Sequence, residues 1–339
     1  MTATVDLAVV GCTSLVGESI LEVLAASTFP LGRLYLLDNE AAAGRKVEFR
    51  ERYLVVESLA SFDFGKVRLA LFATSGQLAA EWAPKAAAAG CSVVDSSGHF
   101  RQREAVPLVV AEVNPEQLQR LPAGAIVASP SPAAVVLTLA LKPLQQAAGI
   151  ERIDATVCYP ASTAGRAGVE ELASQAAQLL NAREVKARTF PKQLAFNLLP
   201  QVGNLLADGS SDVEADVVAE MRRLLGAELA IGISAIQVPV FYGLAAVVHL
   251  QTHEPLTLAD ARALLAAEPG LEVVDDSAES GFPTPVTEAA QQDKVFVGRL
   301  REDGSRSRSL NFWIVADNVR KGAAINTIQL AEHLVRGNR

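Results

Sequence analysis

Val9-Val10-Gly11-Cys12-Thr13-Ser14-Leu15-Val16-Gly17 is the stretch on which the fold turns. The residues before it, Val5 to Val10, form a short continuous apolar run, the pattern of a strand buried on both faces in a parallel sheet. Gly11 allows the chain to reverse, and Gly17 allows the following helix to approach the sheet closely. Between them, Thr13, Ser14, Leu15 and Val16 begin a helix whose N–H groups suit a pyrophosphate. The middle glycine of the usual fingerprint is missing, with Ser14 in that region. Such a turn also serves packing alone, so its surroundings carry the reading. A second strand, Leu34 to Leu37, ends at Asp38, 21 residues after Gly17. A carboxylate there accepts hydrogen bonds from an adenosine ribose and repels a 2′-phosphate, which favours NAD over NADP.

Outward from this turn the first part alternates strand and helix. Val67 to Phe72 reads as a strand, and Ser75-Gly76 leads into a helix over Leu78 to Ala89 that closes at Gly90. Cys91 to Asp95 and Ile126 to Ala128 are further strands. Buried strands alternating with helices predict an α/β, Rossmann-type doubly wound parallel sheet over residues 1–131. Ser129-Pro130-Ser131-Pro132 marks the boundary. Beyond a helix from Ala133 to Ala148 the strands lengthen and alternate: Ile150 to Tyr159, Ile231 to Val240, Ala245 to Thr252, Lys294 to Leu300 and Ser309 to Ala316. Helices are expected over Gly168 to Asn181, Asp212 to Leu225 and Leu258 to Ala266. This predicts an α+β domain over 132–317 with an antiparallel or mixed sheet, open on one face and suited to subunit pairing. A last helix spans Lys321 to Val335.

Composition narrows the partners. The chain has 339 residues, half of them hydrophobic and 20% charged, with a net charge of −8. An acidic surface repels phosphate backbones, so nucleic acid is not an expected partner. Cys12, Cys91 and Cys158 have no paired spacing, so neither a disulfide framework nor a metal site is expected. No basic region precedes the first strand and no apolar run reaches membrane-spanning length, so a cytoplasmic protein without a membrane contact is expected.

Several segments together resemble the aspartate-semialdehyde dehydrogenase family. They are Val93-Val94-Asp95-Ser96-Ser97-Gly98-His99-Phe100-Arg101, Gly281-Phe282-Pro283-Thr284-Pro285, Val295-Phe296-Val297-Gly298-Arg299 and Asp317-Asn318-Val319-Arg320-Lys321-Gly322-Ala323-Ala324-Ile325-Asn326-Thr327-Ile328-Gln329. The resemblance implies a Rossmann domain, an α+β dimerisation domain, a returning carboxy-terminal segment at 318–339 and a homodimer. It also implies a nicotinamide-dependent oxidation of an aldehyde in amino-acid biosynthesis, using a cysteine nucleophile, a histidine base and a substrate-binding arginine. Asn326 is implied on the cofactor side, and Arg101 as an anion-binding residue.

The residues that carry that chemistry depart from the pattern. The nucleophile's position holds Pro132, and the glutamine beside it is Pro160. The substrate arginine is Gln237 and the histidine is Leu244. A basic phosphate-pocket residue falls at Asp216. The pattern resembles the Usg-type homologues that lack the catalytic residues, and it implies a non-catalytic scaffold or regulatory dimer, binding NAD or pairing with an active relative. The alternative is an NAD(P)-dependent oxidoreductase of altered chemistry on an aldehyde or other carbonyl, with Tyr159, Tyr242 or His99 as proton donor. Ser129 and Ser131 read as caps of a proline turn. Cys12, at a helix start that stabilises a thiolate, reads either as a redox residue or as a small isostere.

Overall fold

The computed structural model describes residues 4–276 and 280–337. The backbone contacts divide the chain into two compact units, residues 1–131 with 323–339, and residues 132–322.

The first unit is built on β1 (Val5–Val10), followed by α1 (Leu15–Ala26) and β2 (Leu31–Asp38). A hairpin, β3 (Lys46–Phe49) and β4 (Arg52–Ser58), comes next, then β5 (Leu69–Phe72), α2 (Gly76–Ala88), β6 (Ser92–Asp95) and β7 (Ile126–Ala128). The sheet order is β3-β4-β2-β1-β5-β6-β7, parallel except where β3 meets β4. The strand order reverses between β1 and β5, the switch point at which doubly wound sheets place ligands. Leu7, Val9, Leu36, Leu69, Leu71 and Val94 pack one continuous core there.

The hairpin is absent from the sequence reading. Lys46–Phe49 and Arg52–Ser58 mix charged and apolar residues, and their turn is Arg50-Glu51, without a glycine. Both turn residues take left-handed φ, 47° and 63°. Arg50 gains from it: its guanidinium donates to the carbonyls of Ala25 (3.1 Å) and Leu24 (3.0 Å) and so caps the end of α1.

The second unit opens with α3 (Pro132–Ala148), buried along most of its length. It continues through β8 (Ile150–Tyr159), α4 (Gly165–Leu180), α5 (Asp212–Leu225), β9 (Ala230–Gln237), β10 (Leu244–Thr252), α6 (Leu258–Ala267), β11 (Leu271–Val273), β12 (Val295–Glu302) and β13 (Ser309–Ala316). Helix α5 starts where its sequence requires. Ser211 accepts from the Glu214 N–H while the Glu214 carboxylate accepts from the Ser211 N–H. The sheet is mixed, in the order β11-β12-β13-β10-β8-β9. The central strand β10 is antiparallel to both neighbours, and β8 runs parallel to β9. β11, three residues long, carries too little periodicity to be read in advance.

The closing helix begins later than its sequence suggests. A π-helical turn covers Arg320–Ile325, and α7 spans Asn326–Gly337, packing in the first unit. Asp317 sets that turn, its carboxylate accepting from the N–H groups of Val319, Arg320 and Gln291. No helix among the described residues is long and apolar enough to cross a membrane.

Candidate functional site

In the first unit the site is the glycine turn. Gly11 has φ +79°, and a β-carbon on it would collide with the Ala73 carbonyl. A β-carbon on Gly17 would collide with the Gly11 carbonyl. Only glycine lets the turn lie this close to β5 and to itself. Ser14 takes the place of a middle glycine by capping: its Oγ donates to the Ala73 carbonyl (2.8 Å) and accepts from the Gly17 N–H (3.0 Å). The first-turn N–H groups of Leu15 and Val16, which a helix cannot satisfy internally, remain at the turn. Across the switch point Ser75 caps α2 by accepting from the Leu78 N–H (3.4 Å), and Gly76 opens that helix. Two helix starts therefore flank the strand-order reversal, an arrangement suited to a pyrophosphate.

Asp38 is buried and closes the turn from the side. Its Oδ2 accepts from the Thr13 N–H (3.1 Å) and the Thr13 hydroxyl (2.7 Å), and its Oδ1 accepts from the Asn39 N–H (2.8 Å). Thr13 and Asp38, both expected at the cofactor, are thus bound to each other. Oδ1 keeps acceptor capacity for a ribose hydroxyl. Glu40 follows on the same loop and accepts from the Ser58 hydroxyl. No cation stands among Asp38, Asn39, Glu40 and Ala41, and the two carboxylates oppose a 2′-phosphate.

Two expectations take a different form in the structure. The Cys12 thiol is not primed by its helix start: burial, and then the charge of Asp38, push it up to about 12. It packs in the core as a small apolar residue. Asn326 commits its amide to the fold. Its Nδ2 donates to Val109 O (3.1 Å) and Ser129 Oγ (2.9 Å), and its Oδ1 accepts from the Ala111 N–H (2.9 Å).

Arg101 donates from Nε to Ser129 O (3.0 Å) and from a terminal nitrogen to Ser96 O (3.1 Å), which anchors the loop after β6. A neighbouring pair went unread in the sequence: Arg103 meets His99 Nε2 at 2.9 Å. Their spacing in a loop follows no periodic rule that would have revealed it. Asp95, at the base of this loop, is fully buried. Its Oδ1 accepts from the Ser97 N–H (3.1 Å), while Oδ2 has no partner among the described residues. Burial, partly offset by Ser97 and Arg101, holds its carboxyl above the usual range.

The second unit holds the positions that the resemblance assigns to catalysis. Pro132 is the first residue of α3, where a missing N–H costs nothing. Pro160 is buried at the end of β8. Gln237 is 4% exposed, and its Nε2 donates to the Tyr159 carbonyl at 2.8 Å. Leu244 begins β10 with no exposure. The ring of Tyr159 is buried and Tyr242 is half-buried. Asp216 lies exposed on α5, and Glu220, one turn on, is buried. The surrounding framework is tightly built. Gly243 (φ +94°) donates to Asn318 Oδ1 at 3.1 Å, and Asn318 Nδ2 donates to Ser162 Oγ at 3.0 Å.

Comparison with known proteins agrees with this architecture. Residues 6–121 match the semialdehyde dehydrogenase NAD binding domain, and residues 141–321 match the semialdehyde dehydrogenase dimerisation domain. The chain is 42% identical to an aspartate-semialdehyde dehydrogenase of Legionella pneumophila, over 99% of this chain and 97% of that protein. It is equally identical, 42% over the full length of both, to a USG-1 protein homolog of Azotobacter vinelandii. The crystal structure of aspartate semialdehyde dehydrogenase II from Vibrio cholerae, complexed with ASA, superposes with a TM-score of 0.95 at 40% identity, covering 99% of each chain. The chain belongs to the aspartate-semialdehyde dehydrogenase family and is of the Usg type.

Proposed function

We propose that this chain is a non-catalytic member of its family, a homodimeric scaffold or regulator that retains a site for NAD. One observation carries the reading: Pro132, Pro160, Gln237 and Leu244 occupy the positions assigned to nucleophile, neighbouring glutamine, substrate arginine and base. None of the four can ionise in the working pH range. Gln237 is bound to a backbone carbonyl, and Leu244 is sealed in the core. In subtilisin, loss of the nucleophile alone costs on the order of 10⁶ in turnover. A chain lacking nucleophile and base together has no route through a thioester. The glycine turn, by contrast, keeps its geometry, and the carboxylates of Asp38 and Glu40 favour NAD over NADP. NAD would lie with its pyrophosphate at the N–H groups of Leu15 and Val16 and a ribose hydroxyl at Asp38.

Two measurements on the purified chain test this. Turnover of aspartate semialdehyde with phosphate and either nucleotide is expected to be undetectable, and a measurable rate overturns the non-catalytic reading. Thermal unfolding with saturating NAD is expected to gain about 2.7 kcal/mol of stability at 100 times the dissociation constant, with a smaller gain for NADP. Absence of any shift overturns the NAD site while leaving the scaffold reading intact. Absent turnover with a clear NAD shift would support a role through nucleotide sensing.

A further inference from the structure

Helix α4 carries a polar stripe that neither the glycine turn nor the positions assigned to catalysis use. Glu170, Ser174 and Gln178 stand four residues apart on one helical face. After the helix, Ala182 takes a left-handed φ of 54° and the Arg183 N–H donates to the Gln178 carbonyl at 2.9 Å, which turns the chain back along α4. Glu171 pins the far end of the returning segment, its carboxylate accepting from the N–H groups of Arg188 (3.0 Å) and Thr189 (2.5 Å). Gln175, only 2% exposed, secures this arrangement. Its Nε2 donates to Glu171 (2.8 Å), and its Oε1 accepts from the N–H groups of Leu194 (2.8 Å) and Ala195 (3.0 Å). Alternate residues of the returning segment, Glu184, Lys186 and Arg188, line a cavity of about 580 Å³ together with the α4 stripe.

The charges on the walls of this cavity are unused. No hydrogen bond or ion pair among the described residues engages the side chains of Glu170, Glu184, Lys186 or Arg188, whereas Glu171 and Gln175 are committed to the fold. We propose that the cavity binds a short free peptide, held by the opposite charges of its two termini. A purely anionic ligand faces Glu170 and Glu184, and a purely cationic one faces Lys186 and Arg188. A molecule with separated charges of both signs meets each in turn. The stripe from Glu170 to Gln178 is ~12 Å long at the rise of an α-helix, too long for a single amino acid and close to the ~10 Å of an extended tripeptide. The Arg188 guanidinium, with Lys186 two residues before it, suits the terminal carboxylate. Glu184 suits the terminal ammonium. Between them Ser174 and Gln178, joined by a hydrogen bond of 3.1 Å, offer a hydroxyl and an amide to the peptide groups. Glu170 stands beside Glu171 at the Arg188 end, where its charge opposes a second carboxylate.

Saturation-transfer difference NMR on the full chain tests this with triglycine, whose two termini carry one charge of each sign. The methylene signals of triglycine are expected to gain saturation from the protein. N-acetyl-triglycine and triglycine amide, each lacking one terminal charge, are expected to bind about tenfold or more weakly. Inorganic phosphate at the same concentration is expected to leave the triglycine signal in place. Glu184→Gln and the double variant Lys186→Ala, Arg188→Ala change only exposed side chains, so an unchanged circular dichroism spectrum is expected along with a similar tenfold loss. No transfer to triglycine overturns the site. Equal binding by the blocked peptides, or by both variants, overturns recognition through the termini, and displacement by phosphate reduces the cavity to an anion site.

Discussion

Pro132 lies directly against Gly322: a β-carbon placed on Gly322 would stand 2.7 Å from Pro132 Cβ and 3.1 Å from its Cα. The proline that the resemblance sets at the nucleophile's position and the glycine of the Arg320-Lys321-Gly322 run are therefore a packed pair. The contact is with the start of α3, whose backbone cannot yield without disturbing a helix buried along most of its length. Gly322→Ala is expected to destabilise the chain by about 1–3 kcal/mol through overpacking. Urea unfolding measures this, and an unchanged midpoint would show that α3 gives way.

Under the non-catalytic reading, a nucleophile alone is not expected to restore the reaction. Pro132→Cys places a thiol at the start of α3, but Leu244 still offers no base and Gln237 no charge. Turnover of aspartate semialdehyde by this variant is expected to stay undetectable. A triple variant that adds Gln237→Arg and Leu244→His is the comparison, and activity in the single variant would show that base and anchor lie elsewhere.

Asp38 ties the glycine turn to the second strand through Thr13. Asp38→Ala removes three hydrogen bonds to a carboxylate and is expected to cost about 1.5–3 kcal/mol. It also removes one of the two charges opposing a 2′-phosphate. The NAD and NADP thermal shifts of the variant are expected to converge, and a preserved preference would assign the selectivity to Glu40.

Arg50 is a C-cap contributed by a different element. Arg50→Ala is expected to cost about 1 kcal/mol by removing the guanidinium's bonds to the Ala25 and Leu24 carbonyls. Arg50→Gly loses the same cap but eases the left-handed φ of 47°, and is expected to cost less. The order of the two melting temperatures is the readout.

Asp95 gives the chain a pH dependence of known sign. Its carboxyl is held above the usual range, so the folded state binds a proton that the unfolded state has released. That contribution is fully present below the ordinary aspartate value and is lost as pH rises through the raised folded value. Asp95→Asn is expected to flatten the fall in melting temperature across this window. An identical slope in variant and wild type would show that Oδ2 is charged and paired in solution.

Much of the fold was legible because it depends on local patterns. The run Val5 to Val10, the spacing from Gly11 to Gly17 and the helix over Asp212 to Leu225 each depend on patterns within a few residues, and each appears where the sequence places it. The β3–β4 hairpin was not legible, because what offsets the strained Arg50-Glu51 turn is a contact with α1, some 25 residues earlier in the chain. Chemistry divides in the same way. The sequence by itself determined which residue types stand at the positions the resemblance assigns to catalysis, since no fold can make proline a nucleophile or leucine a base. Only the tertiary structure decided what they and their neighbours do instead. Gln237 holds the Tyr159 carbonyl, Asp38 holds Thr13, Asn326 holds the 109–111 loop, and the Cys12 thiol is suppressed by burial. Hydrogen-bond partners and desolvation are set by groups distant in the chain, and no local pattern encodes them.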